Sequence, residues 1–249
     1  KFSKSVIIDE QVSETVKECS VLSHLHNPAN LTGGKACQTI MPGVPQVAVF
    51  DTSFHSTMPP ESYMFGMPMK YYRDYKVRKY GAHGTSHRYV SGRCIELVGG
   101  KAEGTKVITC HLGNGCSITA VKDGKCFDTS MGLTPLDGFM MGTRSGAVDP
   151  SAVLYIMKKD NISPDEMSKK LKKKSGVLGV SELTSDNRDI VDAANNGHEG
   201  ARLAKDMQTY QIIKVVGSYA AAMNGVDAIA FTGGIGENNE DIRSAVCKS

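Results

Sequence analysis

The chain has 249 residues, of which 40% are hydrophobic and 22% charged, a composition typical of globular proteins. Its 29 Lys and Arg residues against 26 Asp and Glu residues give a formal charge of +3, too small for a dedicated nucleic-acid binder. The mean hydropathy is −0.24, and no apolar run approaches the ~20 residues of a membrane span, which excludes a protein with helical spans in this sequence.

Seven cysteines are scattered along the chain without a CxxC pair or a metal-type spacing. Such an odd, dispersed set indicates free thiols, so we expect a cytoplasmic protein. The sequence begins without Met, its start lacks the apolar core of a signal peptide, and it stops soon after a helical pattern begins. We therefore expect an internal fragment that lacks both ends of a longer protein.

Hydrophobic periods of 2 and 3.6 residues alternate along the chain, which predicts an α/β fold. In chain order, the patterns predict a helix over 7–25, a helix over 30–40, a strand over 47–50, a loop-like segment through residue 80, a helix over 86–97, strands over 106–110, 117–121 and 126–129, helices over 150–158, 164–174 and 200–224, a strand over 226–231 and a final helix. Tight turns, HLGNG and KDGK, join the three central strands. These strands are therefore predicted to form an antiparallel meander.

Three Gly-rich segments, HLGNG, MGTRSG and GGIGEN, are each predicted to follow a strand directly. Glycine at such a turn lets backbone N–H groups approach phosphate oxygens, and a helix starting beyond Gly236 would direct its positive dipole end at an anion. One such turn is most often plain turn geometry, whereas three in one chain favour a nucleotide site. The absence of GxxxxGK[ST] excludes a P-loop, and the absence of a GxGxxG-to-acid spacing argues against a Rossmann dinucleotide site.

Asp51, Arg144 and His83 are candidates for chemistry. Asp51 follows a strand, where α/β proteins place catalytic groups, but it fits a loop cap equally well. Arg144, inside MGTRSG, suits a phosphoryl group, although an ordinary surface arginine is the commoner case. His83 and His87 have i, i+4 spacing without the Glu of HExxH, so a metal site is weakly supported. A His83 that donates to an anion and a His87 that packs in the core are favoured.

Eight segments together resemble the acetate kinase family of the acetate and sugar kinase/heat-shock/actin superfamily. In chain order they are HLHNPANL, VFDTSFHSTMP, YGAHGTSH, HLGNG, DTSMGLTPLDG, MGTRSG, SELTSDNRDI and FTGGIGEN. The resemblance implies an α/β, actin-like ATPase fold of the ribonuclease H-like type, with two domains and the active site in the cleft between them. It also implies reversible, direct in-line phosphoryl transfer from ATP to acetate, giving acetyl phosphate and ADP, with Mg²⁺ as cofactor and a homodimer as the assembly.

The resemblance also assigns roles to particular residues. Asp51, His83 and Arg144 are the implied catalytic residues. The implied nucleotide-binding residues are His111, Leu112, Gly113, Asn114, Gly115, Asp186, Asn187, Arg188, Gly234, Ile235, Gly236, Glu237 and Asn238. Leu25 and Pro135 are implied to shape the pocket for the acetate methyl group, and no metal ligand of the family falls within this chain.

The chain also departs from the family pattern. The family's N-terminal segment, with a metal-binding Asn and a substrate-clamping Arg, and its C-terminal segment, with a metal-coordinating Glu, have no counterpart here. Ala147 replaces an acidic residue, and Cys116 stands where a small residue is usual. We expect residues 1–53 to be a remnant of the first actin-like domain and 54–249 the second, nucleotide-binding domain. We expect the chain alone to be inactive or nearly so.

Two other functions remain open. A propionate kinase would use the same residues with a roomier methyl pocket. A non-catalytic actin-like nucleotide-binding module would keep the Gly-rich turns but would need neither Arg144 nor His83. A pyrophosphate-dependent relative is disfavoured because the GGIGEN segment is intact.

Overall fold

A mixed sheet of four strands lies at the centre of the computed structural model, which describes residues 2–21 and 27–249. The strands are β1 (Val6–Ile7), β2 (Val47–Ala48), β3 (Lys106–Leu112), β4 (Cys116–Lys122), β5 (Lys125–Thr129) and β6 (Ala228–Thr232). The helices are α1 (Glu10–Glu18), α2 (Asn27–Ile40), α3 (Pro60–Tyr63), α4 (Met69–Tyr75), α5 (Gly84–Leu97), α6 (Pro150–Asp160), α7 (Pro164–Lys173), α8 (Gly176–Ser181), α9 (Asn187–Asn195), α10 (Glu199–Ala222), α11 (Gly233–Asn238) and α12 (Glu240–Lys248). Short 3₁₀ turns lie at Cys19–Val21 and Ser53–Thr57.

The strand order in the central sheet is β5–β4–β3–β6. The first three of these strands run antiparallel as a meander, and β6 lies parallel to β3 on the other side. Pairing of β3 with β4 places Thr109 opposite Thr119 and His111 opposite Ser117. Because successive side chains of a strand point to opposite faces, these four residues share one face of the sheet.

The other face of the sheet packs on the long helix α10 as an apolar core. Ile108 and Ile118 from the strands form one buried cluster with Ile212, Val216 and Tyr219 from the helix. Complete burial of a large apolar side chain contributes about 1.5–3 kcal/mol, so this face supplies much of the stability of the fold.

The face beneath α5 changes character along its length. Near the start of β3, Val107 and Val121 pack against Ile95 of α5. Toward the end of β3, the buried Thr109 contacts the buried His87 of α5. Polar groups in such positions are tolerated only when they have hydrogen-bond partners, so this end of the face is a polar network inside the core.

Most of the predicted elements are confirmed, among them the antiparallel meander and the long helix α10. The helix predicted over 7–25 is wrong at its start, because Val6–Ile7 pairs with Val47–Ala48 as a strand. The helix begins only after Asp9, whose carboxylate accepts the Val12 N–H at 2.7 Å and caps it. The strand predicted over 47–50 ends at Ala48 because its pairing with β1 stops there.

The segment before residue 54 buries little of its surface. Within 2–20 and 27–53, Val12 is the one hydrophobic residue that is buried. The turn Ser53–Thr57 contacts β5 and α5 and spans the boundary predicted between 1–53 and 54–249, so that boundary stays a prediction. In the part of the chain that the structure describes, every helix falls short of the length and apolar character that a bilayer crossing needs.

Candidate active site

An open cleft of about 1090 Å³ is lined by two of the Gly-rich segments and by the starts of two helices. Gly113 and Asn114 of the β3–β4 turn contribute to it, as do Gly234 and Ile235 of α11. The other lining residues are Thr184, Ser185, Asp186, Asn187, Arg188, Val191, Asp192, Asn238, Asn239, Glu240 and Asp241. Segments that are far apart in the sequence therefore line one cleft.

The GGIGEN segment forms the short helix α11, which starts directly at the end of β6. Gly233 has φ +78° and lies so close to the backbone of Leu112 that a side chain would overlap the Leu112 carbonyl. This short helix begins at Gly233 and was not predicted, whereas the helix expected beyond Gly236 is present as α12, which begins at Glu240. The first N–H groups of a helix have no partner within it, so the first turn of α11 brings free donors to the cleft wall.

The MGTRSG segment follows no strand, contrary to the prediction, and is an irregular loop. Its Gly142 donates an N–H to the Asn114 carbonyl at 3.1 Å, which ties the loop to the HLGNG turn. Gly176, with φ +64°, lies against the backbone of Met141 and Arg144, where any side chain would overlap them. The loop is positioned by these backbone contacts, which the sequence pattern does not reveal.

Arg144 extends from this loop beside the HLGNG turn. Its Nη1 donates to the Pro135 carbonyl at 3.0 Å, and a Cβ placed on Gly115 would lie 3.2 Å from the same nitrogen. A guanidinium group has five N–H donors, so most of them remain for a ligand. The structure therefore brings Arg144, Pro135 and Gly115 together at one place.

Asp51 caps the start of α5. Its carboxylate accepts the His83 N–H at 2.5 Å and the Thr85 N–H at 3.2 Å. Gly84 fits closely beneath it, because a side chain there would overlap the Asp51 carbonyl. Asp51 therefore caps a distant helix and not the local Asp-Thr-Ser turn that one of its two interpretations predicted, and it lies next to His83 with its side chain exposed.

Four histidines cluster under and beside the start of α5. The His83 ring stacks on His111 with centroids 4.2 Å apart, and His87 lies 5.8 Å from His55 and 6.2 Å from His111. The Nδ1 atom of His111 contacts the Ser86 hydroxyl at 2.9 Å. The sequence pattern predicted a packing role for His87 and no role for His55, so the cluster itself was missed.

All four rings have lowered pKa values, so they are neutral near pH 7. Burial lowers the pKa of His83 to about 4, and His111 beside it adds to the effect. Burial also lowers the pKa of His55, of His111 and, most strongly, of His87. The positive charge in this part of the site is therefore that of Arg144.

The far end of the cleft is formed by the start of α9. Asp186 caps this helix by accepting the Arg188 N–H, and it pairs with the Arg188 guanidinium at 2.7 Å. The hydrogen bond from Arg188 lowers the pKa of Asp186 to about 2. Asn187 accepts a hydrogen bond from Asn239 at 2.9 Å, which links α9 to the start of α12 across the cleft. Asn239 was not singled out from the sequence, although it directly follows the GGIGEN segment.

Comparison with known proteins accounts for this arrangement. The model of the acetokinase family matches residues 1–249. The chain belongs to the acetokinase family. It is 56% identical over 246 residues to an acetate kinase of Desulfitobacterium hafniense (strain DSM 10664 / DCB-2), and the match covers 99% of this chain and 62% of that one.

Solved structures of the family superpose closely on the chain. The crystal structure of Porphyromonas gingivalis acetate kinase matches with a TM-score of 0.96 at 51% identity, covering 100% of this chain and 62% of that one. A propionate kinase from Francisella tularensis subsp. tularensis SCHU S4 matches with a TM-score of 0.94 at 47% identity, covering 99% and 64%. The predicted α/β, actin-like fold is confirmed, and the chain spans 62% of the length of the curated relative it matches.

The family residues predicted to bind the nucleotide fall into two groups. Eight of them line the cleft: Gly113, Asn114, Asp186, Asn187, Arg188, Gly234, Ile235 and Asn238. The others are not part of its lining: Leu112 and Gly236 are buried beside the sheet, Glu237 is exposed, Gly115 lies beside Arg144, and His111 stacks on His83. Leu25 lies outside the described residues.

Proposed function

We propose that this chain carries the phosphoryl-transfer site of a kinase that moves a phosphoryl group between ATP and acetate, giving acetyl phosphate and ADP. One observation supports this above all others. Arg144, His83 and Asp51 come from three separate segments and meet beside the HLGNG turn, which opens into the cleft. Phosphoryl transfer depends on positioning and charge stabilisation rather than on covalent help from the protein, and this set of groups supplies both.

In the proposed reaction, the guanidinium of Arg144 and the ring of His83 stabilise the charge that spreads over the oxygens of the transferring group. Arg144 is suited to this because its planar fork is fixed by the hydrogen bond to Pro135 and cannot lose its proton. Asp51 holds the start of α5, and with it His83, in place. Transfer is direct and in line, so no phosphorylated residue forms.

The nucleotide is proposed to occupy the cleft of about 1090 Å³. Its adenosine lies at the end formed by Asp186, Asn187 and Arg188, and its phosphates lie against Gly113 and the first turn of α11. Glycines and a helix start at this place allow backbone N–H groups to approach phosphate oxygens. Gly115 of the same turn lies against Arg144, so a terminal phosphate at this end of the cleft would face that guanidinium.

Mg²⁺ is the metal that the family assignment implies. No cluster of three metal-ligating side chains occurs within 2–21 and 27–249. Mg²⁺ does not require one, because it is commonly bound by one or two carboxylates together with substrate phosphates and water. Its ligands are proposed to come from the nucleotide phosphates, from water and from the family's segments that have no counterpart here, and the bound ion would neutralise phosphate charge during transfer.

Acetate is proposed to bind beside Arg144, with its methyl group near Pro135. Propionate is the second candidate, because the propionate kinase of Francisella tularensis matches the chain nearly as well as the acetate kinase of P. gingivalis. One extra methylene is worth only about 1–3 kcal/mol in an apolar pocket, so the rates on the two acids must be compared directly.

We also infer the domain organisation and the assembly. Residues 1–53, whose described part buries little, are proposed to belong to a first actin-like domain, and residues 54–249 to a second domain with the cleft at its border. Exposed apolar side chains on α6, such as Leu154 and Tyr155, support a homodimer. Seven free cysteines support a cytoplasmic location.

A chimera tests the proposed function. The chain replaces the matching part of P. gingivalis acetate kinase, and trapping with hydroxylamine measures acyl phosphate formed from ATP and acetate. We expect acetate-dependent turnover close to that of the unmodified enzyme, and about equal or lower turnover on propionate. The 249-residue chain alone is expected to bind ADP. Its turnover should be at most about a thousandth of that of the unmodified enzyme, because charged groups supplied by the rest of the family's length are absent. A chimera that binds ADP but forms no acyl phosphate would make the chain a binding module.

A further inference from the structure

Behind His83, a chain of three buried polar residues leads into the core. The Nδ1 atom of His83 lies 2.8 Å from the Ser117 hydroxyl, which lies 2.7 Å from the Nε2 atom of His87. The Nδ1 atom of His87 lies 2.6 Å from the Thr109 hydroxyl. Ser117, His87 and Thr109 are each at most 2% exposed, so water does not compete for these contacts.

The hydrogen bonds that link these residues all run in one direction, because each hydroxyl and each neutral ring has a single proton to donate. Ser117 has a single hydroxyl proton, and within the described residues the partners of this buried hydroxyl are the two rings. It therefore donates to one imidazole and accepts from the other, because its proton would otherwise be an unsatisfied buried donor. Both rings are neutral near pH 7, since burial lowers the pKa of His83 to about 4 and that of His87 still more strongly. The whole chain therefore has two possible directions, and the choice at Thr109 fixes the protonated nitrogen of both rings.

The surroundings of Thr109 select one direction. Its hydroxyl has two possible acceptors, the His87 ring at 2.6 Å and the Thr119 carbonyl at 3.5 Å, which is at the limit of a hydrogen bond. The Thr119 hydroxyl is already paired with Thr129 at 2.8 Å. If the His87 ring donated to Thr109, the buried Thr109 proton would keep only the distant carbonyl, and an unsatisfied buried donor is costly. Thr109 therefore donates to His87.

From Thr109, each later donor follows. His87 accepts at Nδ1, so its proton is on Nε2 and is donated to Ser117. Ser117 then donates its own proton to Nδ1 of His83. That leaves the His83 proton on Nε2, a nitrogen that has no hydrogen-bond partner within the described residues.

We propose that Thr109, His87 and Ser117 hold neutral His83 in the tautomer with its proton on Nε2, so that His83 donates a hydrogen bond to an oxygen of the transferring phosphoryl group. Ser117 is a positioning residue, because it acts on the ligand only through His83. The proposal rests on the proposed function for the identity of the anion, whereas the tautomer is a property of the chain itself. A neutral hydrogen-bond donor of this kind orients the phosphoryl oxygen, and the guanidinium of Arg144 stabilises its negative charge.

The tautomer is measured by long-range proton–nitrogen correlation spectra of the 249-residue chain labelled with ¹⁵N-histidine, at pH 7. We expect His83 and His87 both to have protonated Nε2 and unprotonated Nδ1. A protonated Nδ1 on either ring would overturn the proposal. This readout needs no turnover, so it stands or falls independently of the kinase assignment.

Variants of Ser117 test the positioning role. Ser117→Ala removes the donor to His83, so the Nδ1 resonance of His83 should move to the frequency of a nitrogen without a hydrogen bond. In the chimera, kcat should fall about tenfold to a hundredfold while KM for ATP stays within about twofold. Ser117→Thr keeps the hydroxyl and should restore both readouts.

Thr119→Val is the matched control. Thr119 is an equally buried threonine directly opposite Thr109, but its hydroxyl contacts Thr129 and no histidine. This variant should leave the His83 resonances and kcat unchanged. Equal losses in Ser117→Ala and Thr119→Val, or a Ser117→Ala variant with unchanged kcat and Nδ1 resonance, would contradict the positioning role.

Discussion

On one face of the central sheet, Ile108 and Ile118 pack on α10; on the other, one residue along the same strands, Thr109 and Ser117 contact histidines. Burial of apolar groups stabilises a fold directly, whereas burial of a polar group destabilises it unless the group finds hydrogen-bond partners. The α5 face therefore departs from the best choice for stability, and such departures are expected at functional sites. In this sheet, neighbouring residues of one strand point to opposite faces, so that one stabilises the fold and the next is proposed to serve the reaction.

The largest effect is expected at Arg144, whose guanidinium lies beside the HLGNG turn and acts electrostatically on His83. Arg144→Ala in the chimera should lower kcat by about a thousandfold or more, because a charged group that stabilises phosphoryl transfer is removed. ADP affinity, measured by calorimetry, should change less than about threefold, since the adenosine end of the cleft is untouched. Arg202→Ala, an exposed arginine on α10, is the control and should leave kcat unchanged. Unchanged turnover in Arg144→Ala would favour the non-catalytic module.

Ile118→Ala and Ser117→Ala compare the two faces at neighbouring residues. Ile118→Ala leaves a cavity against α10, so the free energy of unfolding should fall by about 2–5 kcal/mol. Ser117→Ala breaks two buried contacts and leaves the buried Nε2–H of His87 without a partner, so it should cost about 1–3 kcal/mol. Urea denaturation of the 249-residue chain measures both. A larger loss for Ser117→Ala would mean that the polar face carries the stability as well.

The histidine cluster predicts how stability depends on pH. Burial lowers the pKa of folded His83 to about 4, against about 6.5 in the unfolded chain. As the pH falls, His83 takes up its proton in the unfolded chain before it does so in the folded chain. Its contribution to the free energy of unfolding is therefore fully present above about pH 6.5 and is lost as the pH falls toward 4. His83 alone should account for roughly 2–3 kcal/mol. The titratable and charged groups that act on His83 are His111, Asp51, Arg144 and His55.

Urea midpoints at pH 7.5 and pH 5 check this dependence. Because the pKa values of His55, His87 and His111 shift in the same direction, the chain should be clearly less stable at pH 5. His83→Gln has no proton to gain, so its loss between the two pH values should be smaller. An identical loss in the variant and the original chain would show that His83 is not held neutral by burial.

The smallest effect belongs to a site remote from both faces. Ser163 caps α7 through a capping box with Glu166. Ser163→Ala should lower the free energy of unfolding by about 1 kcal/mol, measured by urea denaturation, with no change in ADP affinity. A change in ADP affinity would contradict this prediction, because it would show that a loss of stability far from the cleft also weakens nucleotide binding.

The sequence was sufficient for much of the fold, because its strongest signals are local. The HLGNG and KDGK turns specify the meander, and the period of 3.6 residues specifies α10. The short strand β1 was missed because two residues carry no periodic signal, and its formation depends on pairing with β2 from a distant part of the chain. Pairing of this kind is a tertiary effect that local patterns do not contain.

The candidate site was predicted in part. Asp51, His83 and Arg144 follow from motif resemblance. Asp51 accepts the His83 N–H and Arg144 acts electrostatically on His83, while their catalytic role stays a prediction. His87 was assigned to packing because a histidine on a helix gives no sign of what lies beneath it. Its role depends on Thr109 and Ser117, which read as ordinary strand residues until β3 and β4 are paired. The signal that would have revealed them is the run of Thr and Ser at core positions of both strands.

A crystal structure of the chimera with ADP, aluminium fluoride and acetate tests the central claim most directly, because aluminium fluoride mimics the transferring phosphoryl group. We predict ADP in the cleft, with the fluoride within hydrogen-bond distance of both the Arg144 guanidinium and His83 Nε2. A complex in which ADP occupies the cleft while the fluoride contacts neither group, or in which the cleft holds no nucleotide, would contradict the account.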